Sequence, residues 1–305
     1  MRRVVLTMLA VGLAILLTAP LWARRVGLGP PPLPSPGRRV ALPSGYHLNV
    51  IDEGAGPAVV LVHGLPGSAY DWQPLHERLR AAGFRVIRYD RVGYGHSERR
   101  RTDADHHLDA NARELLELIT AMRLQSPILA GWSYGGGVAL RAASEAPEAI
   151  GGIALIGSIG PTTTMGSPLV KRVLEPVRRW GLASGLPARA VIRLLGPIFF
   201  SGGEVPAWWP SHALAVIGAP GAMHTWHMEE TYTDASLLVP ERVRVPTFVI
   251  HGTADRNVSP ATASELHSRI QGSRLLRVEG GSHMLPNTHA EVLAEAIAGV
   301  ARHGG

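Results

Sequence analysis

The sequence contains no cysteine, and this absence excludes a disulfide framework, a thiolate metal site and a cysteine nucleophile. Charged residues are also scarce, at 18% against 46% hydrophobic residues, so a packed core is expected and general disorder is excluded. Basic residues exceed acidic ones by 30 to 24, but they are spread along the whole chain, and Lys171 is the only lysine. Because no basic tract is interleaved with aromatic residues, we expect no nucleic-acid partner.

An uncharged apolar run occupies residues 4–23, directly after Arg2 and Arg3. About 20 apolar residues are needed to cross the hydrocarbon core of a bilayer, so this run predicts a membrane anchor within residues 1–25. A cleaved signal peptide is the alternative, although its apolar region normally covers only about 7–15 residues. Because a short N-terminal tail usually stays in the cytoplasm, we expect the rest of the chain to lie outside it. There the chain would be either anchored by a transmembrane helix or secreted after cleavage.

Prolines are concentrated just after this run, where the sequence GPPPLPSPG occupies residues 29–37. Pro-rich stretches adopt extended polyproline geometry and act as semi-rigid spacers. We therefore predict a linker over residues 26–43 that holds the following domain away from the membrane.

From residue 44 onward, short apolar runs alternate with longer amphipathic ones. This pattern is typical of an α/β fold, in which a mostly parallel sheet is covered by helices. A run at residues 46–52 predicts an antiparallel strand that begins the sheet at its edge. Buried strands are predicted at residues 58–62, 85–89, 127–130, 152–156, 247–251 and 274–278, and helices at residues 105–122, 134–146, 260–270 and 289–302.

The alternation stops between residues 160 and 239, where helical pieces are interrupted by proline and glycine. A structureless loop of this length is not expected inside a compact domain. We predict that residues 160–239 form a helical cap, inserted into the α/β core and folded over the carboxyl end of its sheet. The core then comprises residues 44–159 and residues 240–305.

A serine in the sequence GWSYG, residues 131–135, follows a predicted strand and precedes a predicted helix. A sharp strand-to-helix turn exposes the serine hydroxyl, and the flanking glycines are needed because a Cβ there would collide with neighbouring backbone. The N-terminus of the following helix adds partial positive charge. This context predicts that Ser133 is a nucleophile.

These residues resemble the α/β-hydrolase superfamily, and the resemblance covers residues 46–302. The sequence HGLPG at residues 63–67 is similar to the family's oxyanion loop. This likeness implies that the backbone N–H groups of Leu65 and Tyr134 hold the oxyanion. The sequence DRVGYGHS at residues 90–97 resembles the family's turn after the fourth strand, to which we assign no catalytic role.

The resemblance also implies the acid and the base of a catalytic triad. Asp255 follows the predicted strand at residues 247–251, where the family places its acid, and His283 follows the last predicted strand. In this reading Asp255 orients His283, and His283 takes the proton of Ser133. The chain order Ser, Asp, His is the one expected in this fold.

Two histidines of the predicted cap, His224 and His227, lie three residues apart. A further ligand beside them is evident only in Glu229 and Glu230, so we predict no metal site. The predicted acyl-transfer chemistry needs neither a metal nor an organic cofactor.

Large aromatic residues lie beside the predicted nucleophile and in the predicted cap. Such residues line apolar pockets, but they also pack cores. The candidate substrate-binding residues are Trp132, Trp208, Trp209 and Trp226.

Together these features predict a serine hydrolase that cleaves a small apolar ester through an acyl-enzyme. Three alternatives use the same triad: a carbon–carbon bond hydrolase, a perhydrolase and a proline iminopeptidase. In the last of these, Glu204, Glu229 or Glu230 would hold the substrate amine. A non-catalytic binding module of the same fold is a further alternative.

Overall fold

The computed structural model describes residues 31–164 and 199–303, together with the isolated positions 14, 18, 192, 193, 196 and 197. In these parts of the chain, no helix is both long enough and apolar enough to cross a bilayer. The predicted membrane segment at residues 4–23 lies outside them except at positions 14 and 18. The anchor, the cleaved signal and the location of the protein therefore stay predictions.

Eight strands form one sheet in the described residues. They are β1 (Arg38–Ala41), β2 (His47–Glu53), β3 (Ala58–Val62), β4 (Arg85–Tyr89), β5 (Ile128–Trp132), β6 (Gly152–Ile156), β7 (Thr247–Gly252) and β8 (Arg274–Val278). Their order in the sheet is β1-β2-β4-β3-β5-β6-β7-β8. The β1–β2 and β2–β4 pairs are antiparallel, and every other pair is parallel. This confirms the predicted α/β fold with a mostly parallel sheet.

Alternate residues of β3 face two separate apolar layers. Val59 and Leu61 belong to one buried cluster, whereas Val60 and Val62 belong to another. Because successive side chains of a strand point to opposite faces, the two clusters lie on opposite sides of the sheet. Burial on both faces explains why this central parallel strand is a continuous apolar run.

Helices cover both faces of the sheet. They are α1 (Gln73–Ala81), α2 (Leu108–Ala121), α3 (Tyr134–Glu145), α4 (Trp209–Gly218), α5 (Ala222–Tyr232), α6 (Pro260–Arg269), α7 (Leu285–Thr288) and α8 (Ala290–His303). Leu115 of α2 and Val138 of α3 lie in one apolar layer, and Leu75 of α1 and Leu293 of α8 lie in the other. The predicted helices at residues 105–122, 134–146, 260–270 and 289–302 correspond to α2, α3, α6 and α8.

The structure differs from the sequence-based prediction at the start of the domain. Strand β1 lies within residues 26–43, which we predicted to be a linker, and it pairs antiparallel with β2. Of its four residues only Val40 is buried, so the strand shows no apolar run in the sequence. The predicted strand at residues 46–52 corresponds to β2, which is therefore the second strand and not the edge.

Two helices of the predicted cap range, α4 and α5, lie in the described part of the chain and pack against each other. His212 of α4 lies 2.6 Å from Asp71, in the segment that follows β3. Glu229 of α5 bonds to Arg91, which follows β4. Both helices thus contact loops at the carboxyl end of the sheet. Residues 165–191 lie outside the described residues, so the extent of the cap stays a prediction.

Candidate active site

Ser133 lies between the end of β5 and the start of α3, with a backbone φ of 56° and ψ of −121°. A positive φ is uncommon for a residue with a Cβ and costs on the order of 1–3 kcal/mol. Hydrogen bonds to the end of β6 and the segment after it hold the turn: the N–H of Ser133 donates to the carbonyl of Ile156 (2.9 Å), and its carbonyl accepts from the N–H of Ile159 (3.2 Å). The strand–turn–helix geometry expected around this serine is therefore present.

Two glycines flank this turn because other backbone segments approach them closely. A Cβ on Gly131 would lie 2.3 Å from the carbonyl oxygen of Gly135. A Cβ on Gly135 would lie 2.1 Å from the carbonyl oxygen of Val62, at the end of β3. Neither oxygen can move without displacing a strand or helix, so a side chain at these positions is not tolerated.

We predict that Gly135→Ala lowers the free energy of unfolding by about 3 kcal/mol or more, the upper end of the cost of overpacking. Gly272→Ala is the matched control. A Cβ there meets no atom within 4 Å, and only the φ of 73° opposes it, at a cost of about 1–2 kcal/mol. Urea denaturation measures both losses. A loss for Gly135→Ala no larger than that for Gly272→Ala would contradict the role of the Val62 contact.

The predicted acid and base lie together in the structure. His283 Nδ1 lies 2.7 Å from Asp255 Oδ2, and both side chains are buried. Asp255 Oδ1 accepts the backbone N–H groups of Asn257 (2.8 Å) and Val258 (3.0 Å). Burial by itself would raise the pKa of Asp255, but the hydrogen bonds from His251 and His283 hold that pKa well below its usual value. The ionised carboxylate favours a proton on Nδ1 of His283.

A second histidine contacts the same carboxylate. His251 Nε2 lies 3.2 Å from Asp255 Oδ2 and 3.1 Å from the carbonyl oxygen of Val258. Its side chain is buried near the end of β7. His251 was not among the residues that the sequence pattern predicted for the site. The available signal was its position four residues before Asp255, in the sequence HGTAD at residues 251–255.

The serine turn and the Asp–His pair meet at the end of β6. Ser133 is bonded to Ile156, and the next residue, Gly157, lies against the pair. A Cβ on Gly157 would be 3.4 Å from both Asp255 Oδ2 and His283 Nδ1. The hydrogen bonds that His283 forms within the described residues do not include one to the Ser133 hydroxyl. In enzymes without substrate this contact is often long and shortens only in the complex.

The backbone N–H groups of Leu65 and Tyr134 lie beside the serine and have no acceptor in the described part of the chain. Tyr134 directly follows Ser133, and a Cβ on Gly64 would lie 3.2 Å from the Cβ of Ser133. Free donors next to a nucleophile form the arrangement that stabilises an oxyanion.

His63 is fully buried beside this loop in a defined tautomer. Its Nε2 accepts the backbone N–H of Arg91 (3.0 Å). The ring proton therefore lies on Nδ1, which donates to the carbonyl of Gly64 (2.9 Å). Burial lowers the pKa of His63 well below its usual value, and the charge of Arg91 lowers it further. The imidazole is consequently neutral.

We predict that His63 makes the free energy of unfolding decrease as the pH falls below about 6.5, the ordinary pKa of histidine. Below that pH the unfolded chain takes up a proton at His63 and the folded chain does not, so stability declines by up to about 1.4 kcal/mol per pH unit. Urea denaturation at several pH values should show that the free energy of unfolding of His63→Gln depends less steeply on pH than that of wild type. His267→Gln, at an exposed position, controls for the substitution itself. An equal pH dependence of the free energy of unfolding in wild type and His63→Gln would contradict this role of His63.

The four candidate tryptophans occupy different environments. Trp132 is buried, its Nε1 donates to the carbonyl oxygen of His283 (2.9 Å), and its ring centroid lies 5.5 Å from that imidazole. Trp209 is buried in the core, Trp226 is half-buried, and Trp208 is 42% exposed. Trp132 thus contacts the predicted base, while a role of the four residues in substrate binding stays a prediction.

Two titratable residues of the predicted cap, His224 and Glu229, contact the core. His224 Nε2 lies 2.9 Å from Asp103 Oδ1. Glu229 is fully buried and accepts from Arg91 Nη1 (2.6 Å) and from the hydroxyl of Tyr94 (2.9 Å). Within the described residues, no group of three or more His, Asp or Glu side chains is arranged to hold a metal ion.

Comparison with known proteins identifies the family. A model of the alpha/beta hydrolase family matches residues 59–296. A non-heme chloroperoxidase of Streptomyces lividans is 29% identical over 254 residues, which cover 78% of this chain and 89% of that protein. The human serine hydrolase BPHL is 29% identical over 247 residues, covering 79% of this chain and 78% of that protein. An esterase structure from Exiguobacterium antarcticum superimposes with a TM-score of 0.74 at 24% identity, covering 87% of this chain and 99% of the esterase. The chain therefore belongs to the α/β-hydrolase family.

Proposed function

We propose that this α/β hydrolase cleaves an ester-type carbonyl substrate through an acyl-enzyme on Ser133. The observation that carries the proposal is the buried 2.7 Å contact between His283 Nδ1 and Asp255 Oδ2. It supports a proton on Nδ1 of His283, which leaves Nε2 as the nitrogen that accepts the proton of Ser133. The strained turn at Ser133 and the unpartnered N–H groups beside it support the remaining parts of the same mechanism.

In the first step, His283 Nε2 takes the hydroxyl proton as Ser133 Oγ attacks the carbonyl carbon of the substrate. The carbonyl electron pair moves to oxygen, and the N–H groups of Leu65 and Tyr134 hold the resulting oxyanion. The oxyanion collapses, the bond to the alcohol oxygen breaks, and His283 protonates that oxygen. Water, deprotonated by His283, then attacks the acyl carbon, releasing the acid and returning the proton to Ser133. Asp255 stabilises the imidazolium in both halves.

A buried apolar cluster beside Leu65, one of the proposed oxyanion donors, supports an apolar substrate. The side chain of Leu65 packs against a cluster of Tyr94, Ala219 and Ala222. Leu33, from the proline-rich segment, packs against the same cluster. Ligand pockets are lined mainly by such side chains, with a few polar groups that orient the ligand. We therefore propose a small apolar ester over a charged substrate.

The test is hydrolysis of p-nitrophenyl esters, from acetate to palmitate, by the full-length protein. We expect turnover with an optimum chain length and no turnover in Ser133→Ala. Folded protein that hydrolyses no ester, but is labelled at Ser133 by a fluorophosphonate, would contradict the ester substrate and leave a narrower one. Absence of both turnover and labelling would contradict the serine mechanism.

A second candidate is perhydrolysis, which the chloroperoxidase relative supports. Hydrogen peroxide would attack the acyl-enzyme in place of water, and a peracid would leave instead of a carboxylic acid. Incubation with acetate and hydrogen peroxide, followed by detection of peracid through bromide oxidation, tests this reaction. Peracid formation that Ser133→Ala abolishes would favour perhydrolysis over simple hydrolysis.

The proline iminopeptidase alternative loses one of its three supporting residues. Both carboxylate oxygens of Glu229 are bonded inside the protein, so this group is not available to a substrate amine. Glu204, which is exposed, and Glu230, which is half-buried, would have to take that role. Hydrolysis of proline p-nitroanilide tests this alternative, and a ring-cleavage diketone tests the carbon–carbon bond hydrolase. Full biological effect in Ser133→Ala would support the non-catalytic module.

A further inference from the structure

Arg91 follows β4, and its guanidinium contacts the backbone of Gly64, which precedes one proposed oxyanion donor, and the side chain of Tyr134, which carries the other. Its Nη2 donates to the carbonyl oxygen of Gly64 (2.9 Å). The guanidinium also lies over the ring of Tyr134, 4.7 Å from the ring centroid. The side chain is 1% exposed, although it lies in a turn for which the sequence pattern predicted no catalytic role. A buried charge in contact with both donor segments suggests a role beyond packing.

The contact with Gly64 fixes the direction of the Leu65 N–H. A trans peptide unit is planar, so the carbonyl of Gly64 and the N–H of Leu65 point in opposite directions. Arg91 Nη2 and His63 Nδ1 both donate to that carbonyl, each at 2.9 Å. The two bonds hold the carbonyl toward Arg91 and thus turn the Leu65 N–H away from it. A rotation of this peptide would exchange the donor for a carbonyl oxygen, which repels an oxyanion.

Glu229 of α5 holds Arg91 in place. Glu229 Oε1 accepts from Arg91 Nη1 (2.6 Å) and from Asn111 Nδ2 (2.9 Å), and Oε2 accepts from the hydroxyl of Tyr94 (2.9 Å). Burial alone would lower the pKa of Arg91, but the charge of Glu229 raises that pKa above its usual value. The guanidinium therefore stays charged. Because a buried charge that loses its partner is strongly destabilised, its position depends on the docking of α5.

We propose that Arg91 is a positioning residue for the oxyanion hole, and that Glu229 couples the docking of helix α5 to the orientation of the peptide between Gly64 and Leu65. Arg91 acts through this peptide and not by touching substrate. The inference rests on the proposed function, since it assigns an oxyanion role to the Leu65 N–H.

The experiment compares Arg91→Met with a matched control, Arg100→Met, in the full-length protein. Arg100 is equally buried and is paired with Glu114 (3.0 Å between Nη2 and Oε2). It belongs to the same network, because its Nη2 also donates to Asn111 Oδ1 (3.0 Å). The contacts of Arg100 among the described residues do not include Gly64. Both variants lose a buried ion pair, so a purely structural role predicts similar effects.

The first readouts are kcat and KM for the best p-nitrophenyl ester, with the concentration of active sites measured by titration. The second readout is inhibition by a trifluoromethyl ketone with the same acyl chain. This ketone forms a tetrahedral adduct whose oxyanion needs the same donors as the transition state. We expect Arg91→Met to lower kcat by about 10²–10³-fold, the usual effect of losing one oxyanion donor. The affinity for the ketone should fall by a similar factor and KM should change less than threefold. Arg100→Met should keep both kcat and ketone affinity within threefold of wild type.

Two conservative variants keep the proposal testable if Arg91→Met does not fold. Arg91→Lys retains the charge, but a single ammonium cannot replace the planar guanidinium, which donates to Gly64 and Glu229 at the same time. Glu229→Gln leaves the guanidinium of Arg91 intact and removes the carboxylate charge that holds it. Both should lower kcat and ketone affinity at least tenfold with little change in KM. Values within threefold of wild type in folded Arg91→Met, or in both conservative variants, would overturn the proposal.

The two failures are distinguishable. If Ser133→Ala abolishes turnover and Arg91→Met does not affect it, the proposed function stands and Arg91 has no positioning role. If wild type hydrolyses no ester, the rate at which a fluorophosphonate labels Ser133 gives the same comparison, because the phosphonyl oxygen occupies the same hole. A wild-type protein with neither turnover nor labelling overturns both the proposed function and the inference.

Discussion

Ser133→Ala is expected to lower kcat for the best ester by at least about 10⁴-fold, because the variant lacks the hydroxyl on which the proposed acyl-enzyme forms. Residual turnover above the rate in water would come from the oxyanion donors and from substrate binding. The variant should keep its fold, since the bonds that hold the turn come from the backbone N–H and carbonyl of this residue and not from its hydroxyl. Measuring kcat for both proteins at matched concentrations tests the loss of turnover, and a thermal melt tests whether the variant keeps its fold.

Ser268→Ala is the control for this substitution. Ser268 is exposed on α6, where its hydroxyl donates to the carbonyl of Glu265 (2.8 Å). We expect wild-type kcat in this variant. Turnover in Ser133→Ala within tenfold of the control would remove Ser133 from the mechanism.

Asp255→Asn is expected to lower kcat by about 10⁴-fold by forcing the wrong tautomer on His283. The backbone N–H groups of Asn257 and Val258 both donate to Oδ1. They would keep the amide oxygen of the new asparagine at that position, so its NH₂ group faces His283. The Nδ1 atom must then accept a hydrogen bond, and the ring proton moves to Nε2, which can no longer take the proton of Ser133.

The matched control for this variant is Asp234→Asn. Asp234 is exposed, and its Oδ1 accepts the backbone N–H of Ser236 (3.0 Å), a capping contact that asparagine also makes. Pre-steady-state kinetics with a p-nitrophenyl ester should show slow acylation in Asp255→Asn and wild-type acylation in the control. Equal acylation rates would show that Asp255 does not set the tautomer of His283.

The central strands and the positions of the triad candidates were predictable because both depend on local sequence. Buried parallel strands are continuous apolar runs, and residues that follow them lie at one edge of the sheet. Ser133, Asp255 and His283 all follow such runs, so the sequence alone predicts that they are neighbours. Strand β1 was missed because only Val40 of its four residues is buried, and its stability comes from backbone pairing with β2.

The buried ion pair of Arg91 and Glu229 was not predictable for a different reason. In the sequence, nothing distinguishes Arg91 from the other basic residues in turns. Its partner Glu229 lies 138 residues further along the chain. A buried arginine is stable only when such a partner is present, and one sequence does not show which glutamate meets it. His251 was missed in the same way, because its burial against Asp255 depends on how the loops after β7 fold.

The most direct test of the central claim is covalent labelling of the folded protein with a fluorophosphonate, followed by peptide mapping by mass spectrometry. We predict one label per chain, on the peptide that contains Ser133, and slower labelling in Asp255→Asn because the base no longer takes the hydroxyl proton. No label in folded protein, or a label on another residue that persists in Ser133→Ala, would contradict the proposal that Ser133 is the nucleophile.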